Sequence, residues 1–118
     1  MVGAGLYCDN EVASCGSTGR GEANLQNLCS YAAVELMWHG ASPERAGMEV
    51  LRRVAETNET RLRDKDGRPD LGFSFYFLAR DRRHAGVTMW GSQKSSVTDE
   101  NGTRHKDCTS LYTRHPPA

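Results

Sequence analysis

The sequence predicts an α+β fold in which two helices pack on one face of a small antiparallel sheet. Two observations carry that expectation. Apolar or small residues recur at helical spacing through Leu25, Leu28, Cys29, Ala32, Ala33, Leu36 and Met37, and again through Gly47, Val50, Leu51, Val54 and Ala55. Farther on, Phe73, Phe75 and Phe77 alternate with Tyr76 and Leu78, the two-residue period of a strand.

The elements follow in order. "VGAGLYCDN" (2–10) reads as a glycine-rich loop with no strand before it, and "EVASCGS" (11–17) as a short strand. That strand runs into "GSTGRGE" (16–22), a threonine set among three glycines, with a helix expected to begin near Asn24. Gly40 should end this first helix as the residue just past its C-terminus, where a left-handed backbone costs glycine little. The second helix should start at Ser42 as N-cap, with Pro43 in the first helical position and Glu44 near the positive end. "RLRDKDGRPD" (61–70) is a charged loop turning at Asp66-Gly67. Phe73–Leu78 and Val87–Trp90 should then form a β-hairpin apolar on both faces, followed by a loose polar tail. The chain thus divides as one partial domain: loop, strand and pocket turn over 1–22, a helix pair over 24–60, a hairpin over 72–90 and a tail over 91–118.

Composition narrows the function classes. Over 118 residues, 15 basic and 15 acidic side chains cancel, so no whole-chain field draws the protein to nucleic acid or a membrane surface. No apolar run approaches the roughly 18 residues a helical span needs. At 37% hydrophobic residues and a mean hydropathy of −0.65, the chain suits a thin domain, or one completed by a partner segment. Cys8, Cys15, Cys29 and Cys108 lack metal or redox spacing, the four histidines are scattered, and Cys29 sits on the apolar helix stripe. No metal and no cofactor are expected. Two sequons, Asn58-Glu-Thr60 and Asn101-Gly-Thr103, are compatible with secretion and leave the choice between a secreted or periplasmic and a cytoplasmic protein open.

The stretch around Thr18 has two readings. In the first, Gly16, Gly19 and Gly21 serve only a tight strand-to-helix connection. Alternatively, their open N–H groups, the start of the next helix and the Thr18 hydroxyl together make a concave donor surface for a carboxylate or a developing oxyanion. Neither the P-loop nor the dinucleotide fingerprint is present.

"GAGLYCDN", "ASCGSTGRGE" and "SYAAVELMWHGASPERAGMEVLRRV" resemble, in this order over about residues 2–90, the late β-subunit of glycosylasparaginases and the related isoaspartyl peptidases/plant-type asparaginases. The resemblance implies an N-terminal-nucleophile amidohydrolase: an αββα sandwich, cut from a precursor into two subunits, with a new N-terminal threonine as nucleophile and its own amine as base. It implies that Thr18 and Gly19 supply oxyanion-hole donors, that Thr18, Gly19, Arg20 and Gly21 line the substrate pocket, and that the substrate is an aspartylglucosamine or β-aspartyl peptide amide. In that family the nucleophile lies upstream of the GAG motif. This chain is therefore expected to be a C-terminal β-subunit part without its nucleophile, inactive alone, whose partners are the missing upstream segment and α-subunit in a dimer of αβ heterodimers. The glycosylasparaginase branch is favoured over the isoaspartyl peptidase/L-asparaginase branch. A non-catalytic module binding small carboxylates is the remaining alternative.

Overall fold

The structure is a computed structural model, and it describes residues 2–19, 21–57, 65, 72–91 and 93–112. In chain order its elements are β1 (Leu6–Asp9), β2 (Ala13–Gly19), α1 (Gly21–Asn27), α2 (Cys29–Trp38), α3 (Pro43–Thr57), β3 (Phe73–Ala79), β4 (His84–Trp90), β5 (Lys94–Asp99), β6 (Gly102–Asp107) and β7 (Thr109–Tyr112). Five strands form one sheet in the order β1-β2-β3-β4-β7, and β5-β6 form a separate antiparallel pair. The charged loop with Asp66-Gly67 apart from Lys65, the Asn58 sequon, Arg20 and Pro116-Pro117 lie outside the described residues.

The helix pair forms where capping chemistry placed it. The Ser42 hydroxyl accepts from Arg45 N at 3.2 Å and the Ser42 carbonyl from Ala46 N at 2.9 Å, an N-cap worth about 1 kcal/mol. At the end of α2, Gly40 adopts φ +103. There Gly40 N donates to Met37 O at 3.0 Å and Ala41 N to Leu36 O at 3.1 Å, the paired bonds of a Schellman stop. From α3, Ala46, Gly47, Val50, Leu51, Val54 and Ala55 are buried. At Gly47 the helix meets the sheet closely: a Cβ there would lie 2.7 Å from both Phe77 Cε2 and Val87 Cγ2. Below it, Phe73, Phe75 and Phe77 stack in a row, with ring centroids 5.4 and 6.2 Å apart. α2 lies over β1 and β2, and α3 over β3, β4 and β7, so the core is a single layer between helices and sheet.

Four expectations are corrected. The first predicted helix is two helices: Leu28 takes a left-handed backbone, φ 44 and ψ 57, between α1 and α2. Leu25 and Leu28 are consequently 43% and 45% exposed, and the buried face of α2 is Cys29, Ser30, Ala33, Val34 and Met37. The opening stretch is not all loop, because Leu6–Asp9 pairs with Ala13–Gly16 as β1. The tail is not loose either. Residues 94–107 form the β5-β6 hairpin, and Thr109–Tyr112 returns as β7 parallel to β4, which makes the sheet mixed and not purely antiparallel. Finally, the Phe73–Trp90 hairpin is not covered on both sides. Its helix-facing side is buried, whereas Tyr76 and Leu78 on the other are 36% and 55% exposed.

Candidate functional site

Thr18 and Gly19 are the last residues of β2, paired with Ser74 and Phe73 of β3. The sequence placed them in a turn; the ladder to β3 extends far enough to hold them in the strand. Gly19 has φ +130, and a Cβ on it would sit 2.1 Å from Gly72 O and 2.9 Å from Phe73 Cα. Only glycine fits there, on conformational and on steric grounds. The side chain of Thr18 is exposed, and among the described residues its hydroxyl makes no hydrogen bond. With Gly19, Ser74, Tyr76, Trp90 and Gln93 it lines an open cavity of about 310 Å³.

Strand register sets Thr18 at the end of a row of hydroxyls: Thr18 opposite Ser74, Ser74 opposite Thr88, Thr88 opposite Ser110. The inner members are satisfied. Ser74 Oγ donates to Thr88 Oγ1 at 3.2 Å, and Thr88 Oγ1 lies 3.0 Å from Phe73 O and 3.1 Å from Trp90 O, to one of which it donates. Thr18 alone in this row is both exposed and without a hydrogen bond among the described residues. A roomier cleft of about 680 Å³ lies at the opposite end of β3 and β4, lined by Tyr76 and Leu78 of β3 and by Val97 of β5. The Asp99 carboxylate at its rim is engaged by both terminal nitrogens of Arg104.

Two short helices follow Thr18, α1 directly and α2 after it. α1 spans only seven residues, and the N-terminus of α2 is already occupied. Cys29 N donates to Asn24 Oδ1 at 3.2 Å, Ser30 N to Ala4 O at 3.2 Å and Tyr31 N to Gly3 O at 2.8 Å. The glycine-rich opening loop thus caps α2 with its carbonyls.

The asparaginase family model matches residues 1–62, just over half of the chain, and this interval contains both the opening loop and Thr18. The chain belongs to the asparaginase family. Among its relatives, an N(4)-(β-N-acetylglucosaminyl)-L-asparaginase of Elizabethkingia miricola is 27% identical over 104 residues, 88% of this chain and 30% of that protein. A probable isoaspartyl peptidase/L-asparaginase 3 of Arabidopsis thaliana is 40% identical over 55 residues, 47% of this chain and 15% of that protein. A putative N(4)-(β-N-acetylglucosaminyl)-L-asparaginase of Drosophila melanogaster is 46% identical over 54 residues, 46% of this chain and 14% of that protein. The chain therefore spans less than a third of the length of these relatives.

In this asparaginase-family chain, the two glycine motifs that carry the resemblance are physically joined. Ser17 N donates to Gly5 O at 3.0 Å, and Ser17 Oγ lies 3.2 Å from Ala4 O. The loop at Gly3–Gly5 thus touches at once the residue before Thr18 and the first turn of α2. Spacing in the sequence could not reveal this, since the contacts cross 12 to 28 residues.

Cys15 and Cys29 are packing residues and not reagents. Burial pushes the Cys15 thiol up to about 12, against a smaller opposing effect of the Ser30 hydrogen bond. Burial, then the neighbouring Cys15, pushes Cys29 up to about 12 as well. Neither thiol supplies a thiolate near neutral pH. Cys8 sits opposite Ser14 in the register, hence on the other face of the sheet from Cys15, and all four cysteines are free thiols. Among the described residues, no group of three or more His, Cys, Asp or Glu side chains could hold a metal ion. No described helix is long and apolar enough to cross a membrane.

Proposed function

We propose that this chain is part of an N-terminal-nucleophile amidohydrolase of the glycosylasparaginase type, which cleaves the β-amide bond of N4-(β-N-acetylglucosaminyl)-L-asparagine. In this reading Thr18 and Gly19 donate to the oxyanion of the tetrahedral intermediate, Arg20 and Gly21 complete the pocket wall, and the nucleophile is a free N-terminal threonine from outside the described residues. The amide carbonyl gains negative charge when that threonine attacks, and a donor already aimed at the oxygen lowers the barrier without reorganising.

The observation that carries the reading is the Thr18 hydroxyl, exposed and without a hydrogen bond among the described residues, at the mouth of a cavity and beside a glycine that no other residue could replace. The name of the Elizabethkingia relative, whose match covers most of the chain, supports the glycosylasparaginase branch. The name of the Arabidopsis relative, 40% identical over a shorter interval, supports a second reading, an isoaspartyl peptidase/L-asparaginase, while the Drosophila relative, 46% identical over a like interval, carries the glycosylasparaginase name. The exposed apolar side chains Leu6, Tyr76 and Leu78, on the sheet face away from the helices, support a sandwich in which a second sheet from another segment covers that face.

The test joins this chain, by fusion or coexpression, to a segment carrying a free N-terminal threonine. Thr18→Val should lower kcat roughly ten- to a thousandfold while KM changes little, because the donor acts on charge that exists only in the transition state. Thr18→Ser should keep much of the activity. A Thr18→Val enzyme that melts normally and turns over at the parent rate would remove Thr18 from catalysis. Comparing aspartylglucosamine with a β-aspartyl dipeptide as substrate separates the two branches.

A further inference from the structure

We infer that Asn24 is a positioning residue for Thr18, acting through Ser17; this rests on the oxyanion role proposed for Thr18. Asn24 is 6% exposed, although it lies in a helix whose following residues Leu25 and Gln26 face solvent. Its side-chain amide is used at both ends. Nδ2 donates to Ser17 Oγ at 2.8 Å, and Oδ1 accepts from Cys29 N at 3.2 Å. The second bond caps the first residue of α2, just past the left-handed Leu28. The first seizes the side chain immediately before Thr18.

Ser17 cannot yield to that pull without disturbing other partners. Its Oγ has one proton to give, and the Ala4 carbonyl at 3.2 Å is the nearest acceptor. The same carbonyl receives the Ser30 hydroxyl and Ser30 N, and Ser30 is fully buried. Asn24, Ser17, Ala4 and Ser30, closed through the N–H of Cys29, therefore form a polar ring that ties the end of β2, the opening loop and α2 to one another. A buried polar group that loses its partner costs more than the bond itself contributed, so this ring has one low-energy arrangement. In a strand, fixing the backbone at Ser17 fixes the direction in which the next side chain, Thr18, leaves the opposite face. Asn24 thus determines where the Thr18 hydroxyl points without touching the cavity, whose lining does not include it.

Two measurements test this, one of which needs no catalysis. In the chain by itself, hydrogen exchange at the Thr18 and Gly19 amides should quicken about five- to tenfold in Asn24→Ala relative to the parent, while the α3 amides change little; that is the effect of losing one local hydrogen bond. Unchanged exchange at Thr18 and Gly19 overturns the inference whatever the kinetics. In the enzyme assembled as above, Asn24→Ala should lower kcat about tenfold with KM within about twofold, the pattern of a displaced transition-state donor. Because the route runs through Ser17, Ser17→Ala should reproduce the loss, and the double variant should be no slower than the slower single variant. Losses that multiply in the double variant refute the route through Ser17. If Asn24→Ala does not fold, Ser17→Ala alone carries both measurements. A slow Thr18→Val beside an Asn24→Ala at parent rate sinks the positioning role and leaves the Thr18 role standing. A Thr18→Val at parent rate removes the proposed function first, and the positioning role with it.

Discussion

Two glycines flank Thr18 on the same strand, and replacing each by alanine should give opposite results. At Gly19 the backbone stands at φ +130, a region that L side chains rarely occupy, at a cost of about 1–3 kcal/mol. The added Cβ would also lie 2.1 Å from Gly72 O. That atom is backbone and cannot rotate away, so the Gly19–Phe73 end of the β2–β3 ladder must open, at about 1 kcal/mol for each hydrogen bond lost. Together these give a loss of roughly 2–4 kcal/mol for Gly19→Ala. At Gly16, φ is ordinary and nothing lies within 4 Å of an added Cβ. Gly16→Ala should therefore lie within about 0.5 kcal/mol of the parent, or be slightly stabilising through the reduced freedom of the unfolded chain. Urea melts of the three proteins, followed by circular dichroism, measure both differences. For a domain of this size the Gly19→Ala loss should also appear as a drop in Tm on the order of 10 °C. A Gly19→Ala protein with the parent midpoint, or a Gly16→Ala protein equally destabilised, would refute the strand-end geometry on which the placement of Thr18 depends.

Two pH effects follow from buried and paired groups. The Cys15 and Cys29 thiols are raised from their ordinary value to about 12 in the folded chain. Their contribution is complete below the unfolded thiol pKa and is lost as pH rises from about 9 toward 12, so urea midpoints should fall above about pH 9. Cys15→Ser/Cys29→Ala should flatten that fall, and an unchanged slope would contradict it. Asp99 is exposed, but the Arg104 guanidinium, and then the Asn101 N–H, hold its carboxyl at about 2. The pairing across the β5-β6 hairpin should therefore persist below the ordinary carboxylate range of about 4 and disappear only as pH falls through about 2. Carboxyl carbon NMR shifts read this directly, and Arg104→Gln should return the midpoint toward about 4; an Asp99 midpoint near 4 in the parent contradicts the pairing.

What the sequence determined by itself is whatever rests on neighbours along the chain. Ser42 and Pro43 start α3, Gly40 ends α2, and the phenylalanine alternation makes β3, because caps and periods are satisfied within a few residues. The apolar face of α3 could be read residue by residue for the same reason. The pairing of the GAG and threonine-glycine motifs was legible as a resemblance, but not what the opening loop does. Only the tertiary structure decided that its carbonyls cap α2 and bind Ser17, that the apolar period from Leu25 is broken at Leu28, and that Thr18 ends a strand. It likewise decided that residues after Gly91, polar and turn-rich, return as a parallel edge strand. The physical reason is related in all four. Each depends on a hydrogen bond outside the regular backbone pattern of its own segment, three of them to partners far along the chain and the break at Leu28 to the Asn24 side chain five residues away, and a residue's own preference says nothing of such a partner. Helical periodicity passes through Leu28 because burial of α2 continues beyond it. The backbone does not, because Asn24 offers Cys29 N a better acceptor than the preceding turn.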